Sequence, residues 1–178
     1  MLPFDRWRAH LVQELAGTIL EIGVGAGANL PFYRRARQVW AIEPDPERAQ
    51  TASRVAQAAH VPVAVEIATA EALPFPNRHV DHIVSSLVFC SVSDPYLALD
   101  ELRRVLKPGG TLHMVEHVRP QTAWLATLFG AATPYWSLMA HNCHLDRPTV
   151  DLLRSEGWTV DVHKRIAMLV RLSARRLD

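Results

Sequence analysis

Three glycines alternate with small residues in Ile19-Leu20-Glu21-Ile22-Gly23-Val24-Gly25-Ala26-Gly27, at the end of an apolar run. Glycines in this pattern let the backbone turn sharply and let a ligand approach with no Cβ in the way. A loop set between a strand and a helix also leaves backbone N–H groups free to bind a ligand. A plain tight turn would use the same residues. Glu43 sharpens the reading, because it stands twenty positions after Gly23, at the close of the next apolar run. A carboxylate there can accept both hydroxyls of an adenosine ribose.

The spacing then separates two adenosine-bearing ligands. Gly-x-Gly-x-Gly differs from the Gly-x-Gly-x-x-Gly that packs against a dinucleotide pyrophosphate. Glu21 precedes the first glycine by two positions. An acidic residue beside the loop suits the cationic methionyl end of S-adenosylmethionine (SAM), which has no phosphate.

Further along, His117 closes an apolar run and is a candidate general base or a histidine held by backbone bonds. His141, Cys143 and His144 stand close together, but their spacing matches no zinc pattern, and no metal is assigned. Trp124, Leu125, Leu128, Phe129, Ala132, Tyr135, Trp136 and Met139 recur at three- and four-residue steps. Such a stripe is either plain core or the wall of an apolar pocket.

Alternating apolar runs and helical patterns must position these residues, which predicts an α/β fold with a mostly parallel sheet. Strands are expected at Thr18 to Ile22, Gln38 to Ile42, Val61 to Ile67, Val80 to Ser85 and Thr111 to Glu116, with two closing strands at Trp158 to His163 and Ile166 to Leu172. Helices are expected at Phe4 to Leu15, Pro46 to about Ala59, Pro95 to Leu106 and Arg147 to Ser155. Asp45-Pro46 and Asp94-Pro95 each place an N-cap acceptor before a proline suited to the first helical turn. Lys107-Pro108-Gly109-Gly110 should end the third of these helices and turn the chain. In such a doubly wound sheet the ligand site lies at the C-terminal ends of the strands.

A chain of 178 residues suits one domain, and 49% apolar content supports a real core. The net charge of +1 provides no field for a nucleic acid. Two cysteines are too few for a disulfide framework, and charges in the first sixteen residues break any signal-peptide core. A cytoplasmic placement is expected, with contact at a membrane surface as the alternative. The uncharged stretch Gln121 to Ala140 has about the length of a membrane span, but Gly130, Pro134 and its hydroxyl residues dilute it, and no span is expected.

Taken together, Glu21-Ile22-Gly23-Val24-Gly25-Ala26-Gly27, Glu43-Pro44-Asp45, Ala70-Glu71-Ala72-Leu73-Pro74-Phe75, Asp81-His82-Ile83-Val84 and Arg104-Val105-Leu106-Lys107-Pro108-Gly109-Gly110 resemble the type 11 class I SAM-dependent methyltransferases. The resemblance implies a Rossmann-like, doubly wound, seven-stranded sheet, mostly parallel with an antiparallel last strand. It implies that Gly23, Gly25 and Gly27 lie under the methionyl part of SAM, that Glu21 supports that loop and faces the ammonium, and that Glu43 holds the ribose. Pro44 would lie against the adenine, Ala70 and Glu71 would border its other face, and Thr69 would bond its amino group. Ser86 and Leu87 would line the floor. S-adenosylhomocysteine would be the product.

A narrower resemblance rests on Leu87-Val88-Phe89-Cys90-Ser91-Val92, Glu116-His117-Val118, and Cys143-His144-Leu145-Asp146-Arg147 followed by Trp158. These are similar to a subgroup holding alkyl thiol S-methyltransferases and bacterial phospholipid N-methyltransferases. It implies an insertion at about residues 120–146 roofing an acceptor site, with Trp124, Phe129, Tyr135, Trp136, Met139, Cys143 and His144 as substrate-site candidates. The expected reaction is methyl transfer to a small apolar thiol, amine or hydroxyl, with His117 as the candidate base. Two other classes stay open. One is a nicotinamide-dependent oxidoreductase, disfavoured by the glycine spacing and the absence of a Tyr-x-x-x-Lys pair. The other is a SAM-binding partner subunit without turnover.

Overall fold

A computed structural model of the chain describes residues 3–120, 122–139, 143–144 and 146–176, with backbone only at 3, 4 and 137–139. The strands are β1 (Ala16–Ile22), β2 (Arg35–Ile42), β3 (Val63–Glu66), β4 (Val80–Ser86), β5 (Leu106–His117), β6 (Trp158–Ile166) and β7 (Leu169–Arg176). They form one seven-stranded sheet in the order β3-β2-β1-β4-β5-β7-β6. The five on the β3 side run parallel, and β7 lies antiparallel to both β5 and β6. The expected Rossmann-like sheet with an antiparallel last strand is therefore present.

The helices are α1 (Pro3–Val12), α2 (Pro46–Ala56), α3 (Pro95–Val105), α4 (Ala123–Met139) and α5 (Thr149–Ser155). Both N-caps form as the sequence predicts. Asp45 accepts the N–H groups of Glu47 and Arg48, and Asp94 accepts those of Tyr96 and Leu97. Period-two alternation divides the strands between two cores. Leu20 and Ile22 face a core shared with Leu99 and Leu102 of α3 and Leu153 of α5, while Ile19, Val39 and Val84 face Leu11 and Val12 of α1 and Ala52 of α2. Helices thus cover both faces of a sheet whose central strands are apolar on both sides.

Two local expectations are corrected. No α-helix follows the glycine loop, and the chain makes only a 3-10 turn at Leu30–Phe32 before β2 begins at Arg35. Pro31 and the short span to β2 leave no room for the turns a helix needs. The segment Lys107 to Gly110 does turn the chain, but inside β5 rather than before it. Val80 pairs with Leu106 and His82 with Thr111, so the residues between form a bulge on the strand. Among the described residues no helix is long and apolar enough to cross a membrane.

Candidate active site

The sheet order reverses between β1 and β4, where the chain leaves one strand toward β2 and the other toward β5. A crevice opens at such a point, outside the C-terminal strand ends. Here it is a cavity of about 730 Å³, within the range of small-molecule sites. Of the expected residues, Glu21, Gly23, Gly25, Glu43, Pro44, Thr69, Ala70, Glu71, Ser86, Leu87, His117, Trp136 and Cys143 all line it.

The glycine loop is held by carboxylates rather than by a helix. Gly23 and Gly25 have φ of +58° and +57°, a region disfavoured for side-chain-bearing residues. The buried Glu43 carboxylate accepts the Gly25 N–H at 2.8 Å and the Asp45 N–H at 3.3 Å. Glu21 is fully buried and accepts Asn29 Nδ2 and Tyr33 Oη, each at 2.8 Å. Desolvation outweighs these bonds and lifts the Glu21 pKa to about 7.

The fit of the SAM methionyl end can be tested here. Asn29 lines the cavity, and its Oδ1 is buried without a hydrogen-bond partner. Together with Glu21 it offers acceptors suited to an ammonium. Arg8, from α1, lines the same end and suits the carboxylate of that ligand. Neither Asn29 nor Arg8 belongs to the glycine pattern, and sequence reading missed both.

Gly27 departs from expectation. It does not line the cavity, and a Cβ there would sit 3.1 Å from both Leu30 Cδ1 and Val55 Cβ. Its role is close packing of the loop on α2. Glu71 lines the cavity, but its carboxylate accepts the N–H groups of Ser93 and Asp94 and so fixes the entry to α3.

Behind the floor lies a third buried carboxylate, Glu116. It accepts Ser85 Oγ at 2.5 Å and the N–H groups of Val88 and Phe89 at 3.1 Å each. Burial raises its pKa. These bonds hold the loop after β4, in which Leu87 adopts φ +60°. Arg147 clamps the same loop from the other side, donating to Phe89 O at 2.6 Å and Val92 O at 2.8 Å. Both residues stood in quoted motifs, but nothing in their spacing signalled these partners.

At the far end, His117, Trp136, Cys90 and Cys143 border the cavity. Desolvation lowers the His117 pKa, which favours a neutral imidazole. Cys143 Sγ lies 3.3 Å from Cys90 Sγ and 3.9 Å from His117 Nδ1. The stripe on α4 is divided. Trp136 lines the cavity and Phe129 packs on the cysteine pair, but Trp124 and Tyr135 are 67% and 76% exposed. Trp124 and Tyr135 are thus not cavity walls. His144 does not line the cavity, and its N–H donates to Cys90 O. The Met139 side chain and His141 lie outside the described residues.

Residues 20–114, just over half of the chain, match the family described as a methyltransferase domain. The chain is 36% identical over 137 residues to the rat (Rattus norvegicus) thiol S-methyltransferase TMT1B, covering 74% of this chain and 56% of that protein. It is 32% identical over 117 residues to a phosphatidylethanolamine N-methyltransferase of Cereibacter sphaeroides, covering 65% of this chain and 57% of that one. It therefore spans little more than half the length of these relatives. The solved structure of the YcgJ protein from Bacillus subtilis superposes with a TM-score of 0.70 at 22% identity, over 90% of this chain and 69% of that one. A sequence match across the glycine loop, β2, β4 and β5, on a fold of the same kind, settles the kinship: this chain belongs to the type 11 class I SAM-dependent methyltransferases.

Proposed function

We propose that this protein transfers a methyl group from SAM to a small, apolar acceptor, with a thiol ahead of an amine or hydroxyl. One observation carries the reading: a single cavity runs from Glu43 and the glycine loop to His117, Cys143 and Trp136, so donor and acceptor ends share one space. When bound, SAM supplies a methyl group on a sulfonium, which is already activated for displacement. The chain's own work is placement. Glu43 holds the ribose, Pro44 and Ala70 border the adenine, Glu21 and Asn29 receive the ammonium, and Arg8 receives the carboxylate. The loop from Ser86 to Cys90, fixed by Glu116 and Arg147, forms the floor that aligns the acceptor. His117, as a neutral imidazole, can take a proton from an amine or hydroxyl, while a thiolate needs less help.

The thiol preference is supported by the similarity to proteins named thiol S-methyltransferases and by the apolar far end of the cavity. The segment at about 120–146 acts as a partial roof, through Trp136 and Cys143. Trp124, Leu128 and Tyr135 on α4 are exposed and would rest on a membrane surface from which a lipophilic acceptor is drawn. A cytoplasmic protein with this peripheral contact fits the reading, and no nucleic acid partner is proposed. The test is release of S-adenosylhomocysteine across a panel of acceptors. Apolar thiols are expected to turn over. Preference for an anionic acceptor would overturn the reading, and SAM binding without any turnover would favour a partner subunit.

A further inference from the structure

Cys90, His117 and Cys143 come from three separate segments: the loop after β4, the end of β5 and the chain before α5. One ligand atom from each, two Sγ and one imidazole nitrogen, lies within 4.8 Å of the others. Zinc binds sulfur at about 2.3 Å and nitrogen at about 2.0–2.1 Å, so tetrahedral ligands stand about 3.8 Å (S to S) and 3.6 Å (S to N) apart. Two of the separations here, 3.3 Å between the sulfurs and 3.9 Å from Cys143 Sγ to His117 Nδ1, lie within about half an ångström of these values, and Cys90 stands within 4.8 Å of the imidazole.

The frame around the three groups is already built. Arg147 ties the Cys90 loop to the Cys143 segment through Phe89 O and Val92 O, and the His144 N–H donates to Cys90 O at 2.8 Å. Phe129 and Met168 pack over the sulfurs and shield them from water. Among the described residues no fourth ligand joins them, and all three border the cavity, so the fourth position opens toward the acceptor end. Two cysteine thiolates and one histidine with an open fourth position is a catalytic, not a structural, zinc pattern.

We propose that Cys90, Cys143 and His117 form a soft-metal site, for zinc in the first place, whose open position takes the acceptor thiol. This rests on the thiol reading given above. Coordination removes the acceptor's proton to solvent at neutral pH. The coordinated sulfur then donates an electron pair to the methyl carbon. The carbon–sulfur bond of the sulfonium breaks, and its electron pair stays on the sulfur of S-adenosylhomocysteine. The thioether formed is neutral and a weak ligand, so it leaves. Three thiolates on a divalent ion carry one net negative charge, which the half-buried Arg147 guanidinium beside the cysteines offsets.

The test uses the full chain, reduced, stripped by chelator and handled without oxygen, with cobalt(II) as the probe. One cobalt per chain should bind, with thiolate-to-cobalt charge-transfer absorption and the intense visible bands of a tetrahedral ion, and zinc should displace it. Cys143→Ser should lose the charge-transfer intensity in part, and His117→Gln should weaken binding about tenfold or more. SAM affinity, read by calorimetry, should be the same with and without metal. With a free-thiol pKa near ~8.5, zinc-loaded protein should methylate an apolar thiol roughly tenfold faster than stripped protein at about pH 6.5, the ratio closing above about pH 8.5. No cobalt bands in reduced protein, or bands unchanged in Cys143→Ser, would overturn the site. Thiol turnover indifferent to metal would overturn it and leave the thiol reading standing. Stoichiometric metal with no thiol turnover would keep the site and sink the thiol reading.

Discussion

The Glu43 carboxylate accepts the Gly25 N–H across 2.8 Å, a buried bond that ties the end of β2 to the turn after β1. The residue proposed to hold the ribose therefore also shapes the loop beneath the methionyl chain. Glu43→Ala removes a charge-assisted bond of roughly 1.5–3 kcal/mol from both jobs. SAM affinity should fall more than tenfold by calorimetry while circular dichroism reports a folded protein. An unchanged dissociation constant would take Glu43 out of the site.

Gly25 and Gly27 should answer substitution differently. At Gly25 a Cβ would meet Arg48 Nη2 at 2.9 Å, the movable end of a long side chain. Gly25→Ala should stay folded and lose SAM affinity. At Gly27 the neighbours are Leu30, Val55 and the α2 backbone, at φ +86°. Gly27→Ala should cost about 1–3 kcal/mol of stability, read as a lower melting temperature, because backbone and core must both give.

Glu21 links protonation to both stability and ligand. Its pKa is about 7 in the fold against 4.5 when free. The folded state holds the proton more tightly, so the stability from this group is complete below pH 4.5 and is lost as pH rises through about 7. Denaturant titrations should show a loss of roughly 3 kcal/mol across that window, missing in Glu21→Gln. If the SAM ammonium faces Glu21, affinity should rise up to about tenfold per pH unit below 7 and level off above it, with proton release in calorimetry. A flat profile in the wild type would separate Glu21 from the ammonium.

Glu116 is the strut of the cavity floor. Glu116→Ala strands the N–H groups of Val88 and Phe89, at about 1–3 kcal/mol for each buried group left unpaired. The melting temperature should drop sharply. Glu116→Gln keeps an acceptor oxygen and, since burial already raises the Glu116 pKa, should recover most of the loss.

The two tryptophans of α4 should separate pocket from surface. Trp136→Ala is expected to raise KM for an apolar acceptor with SAM affinity intact. Trp124→Ala should leave KM alone, change stability by no more than about 0.5 kcal/mol, and weaken binding to lipid vesicles. Equal KM effects from both would end the distinction.

Local chemistry was enough for much of this protein. Alternating apolar runs specify strands, Asp-Pro pairs specify the starts of α2 and α3, and Glu21, the glycine loop and Glu43 carry their spacing in the chain itself. These are short-range properties of backbone and side chain, and they place the cofactor end of the site. The acceptor end depends on residues far apart in sequence. Cys90 and Cys143 are fifty-three positions apart, and their contact exists only because Arg147 and Glu116 fold the β4 loop against the segment before α5. Periodicity likewise could not divide α4. A helix pattern shows that Trp124 and Trp136 are both apolar, but only the packing of α4, through Phe129, against Cys90 and Cys143 decides that one borders the cavity while the other faces water. Spacing fixes what a backbone can do locally; which side chains meet is settled by which surfaces the sheet order brings together.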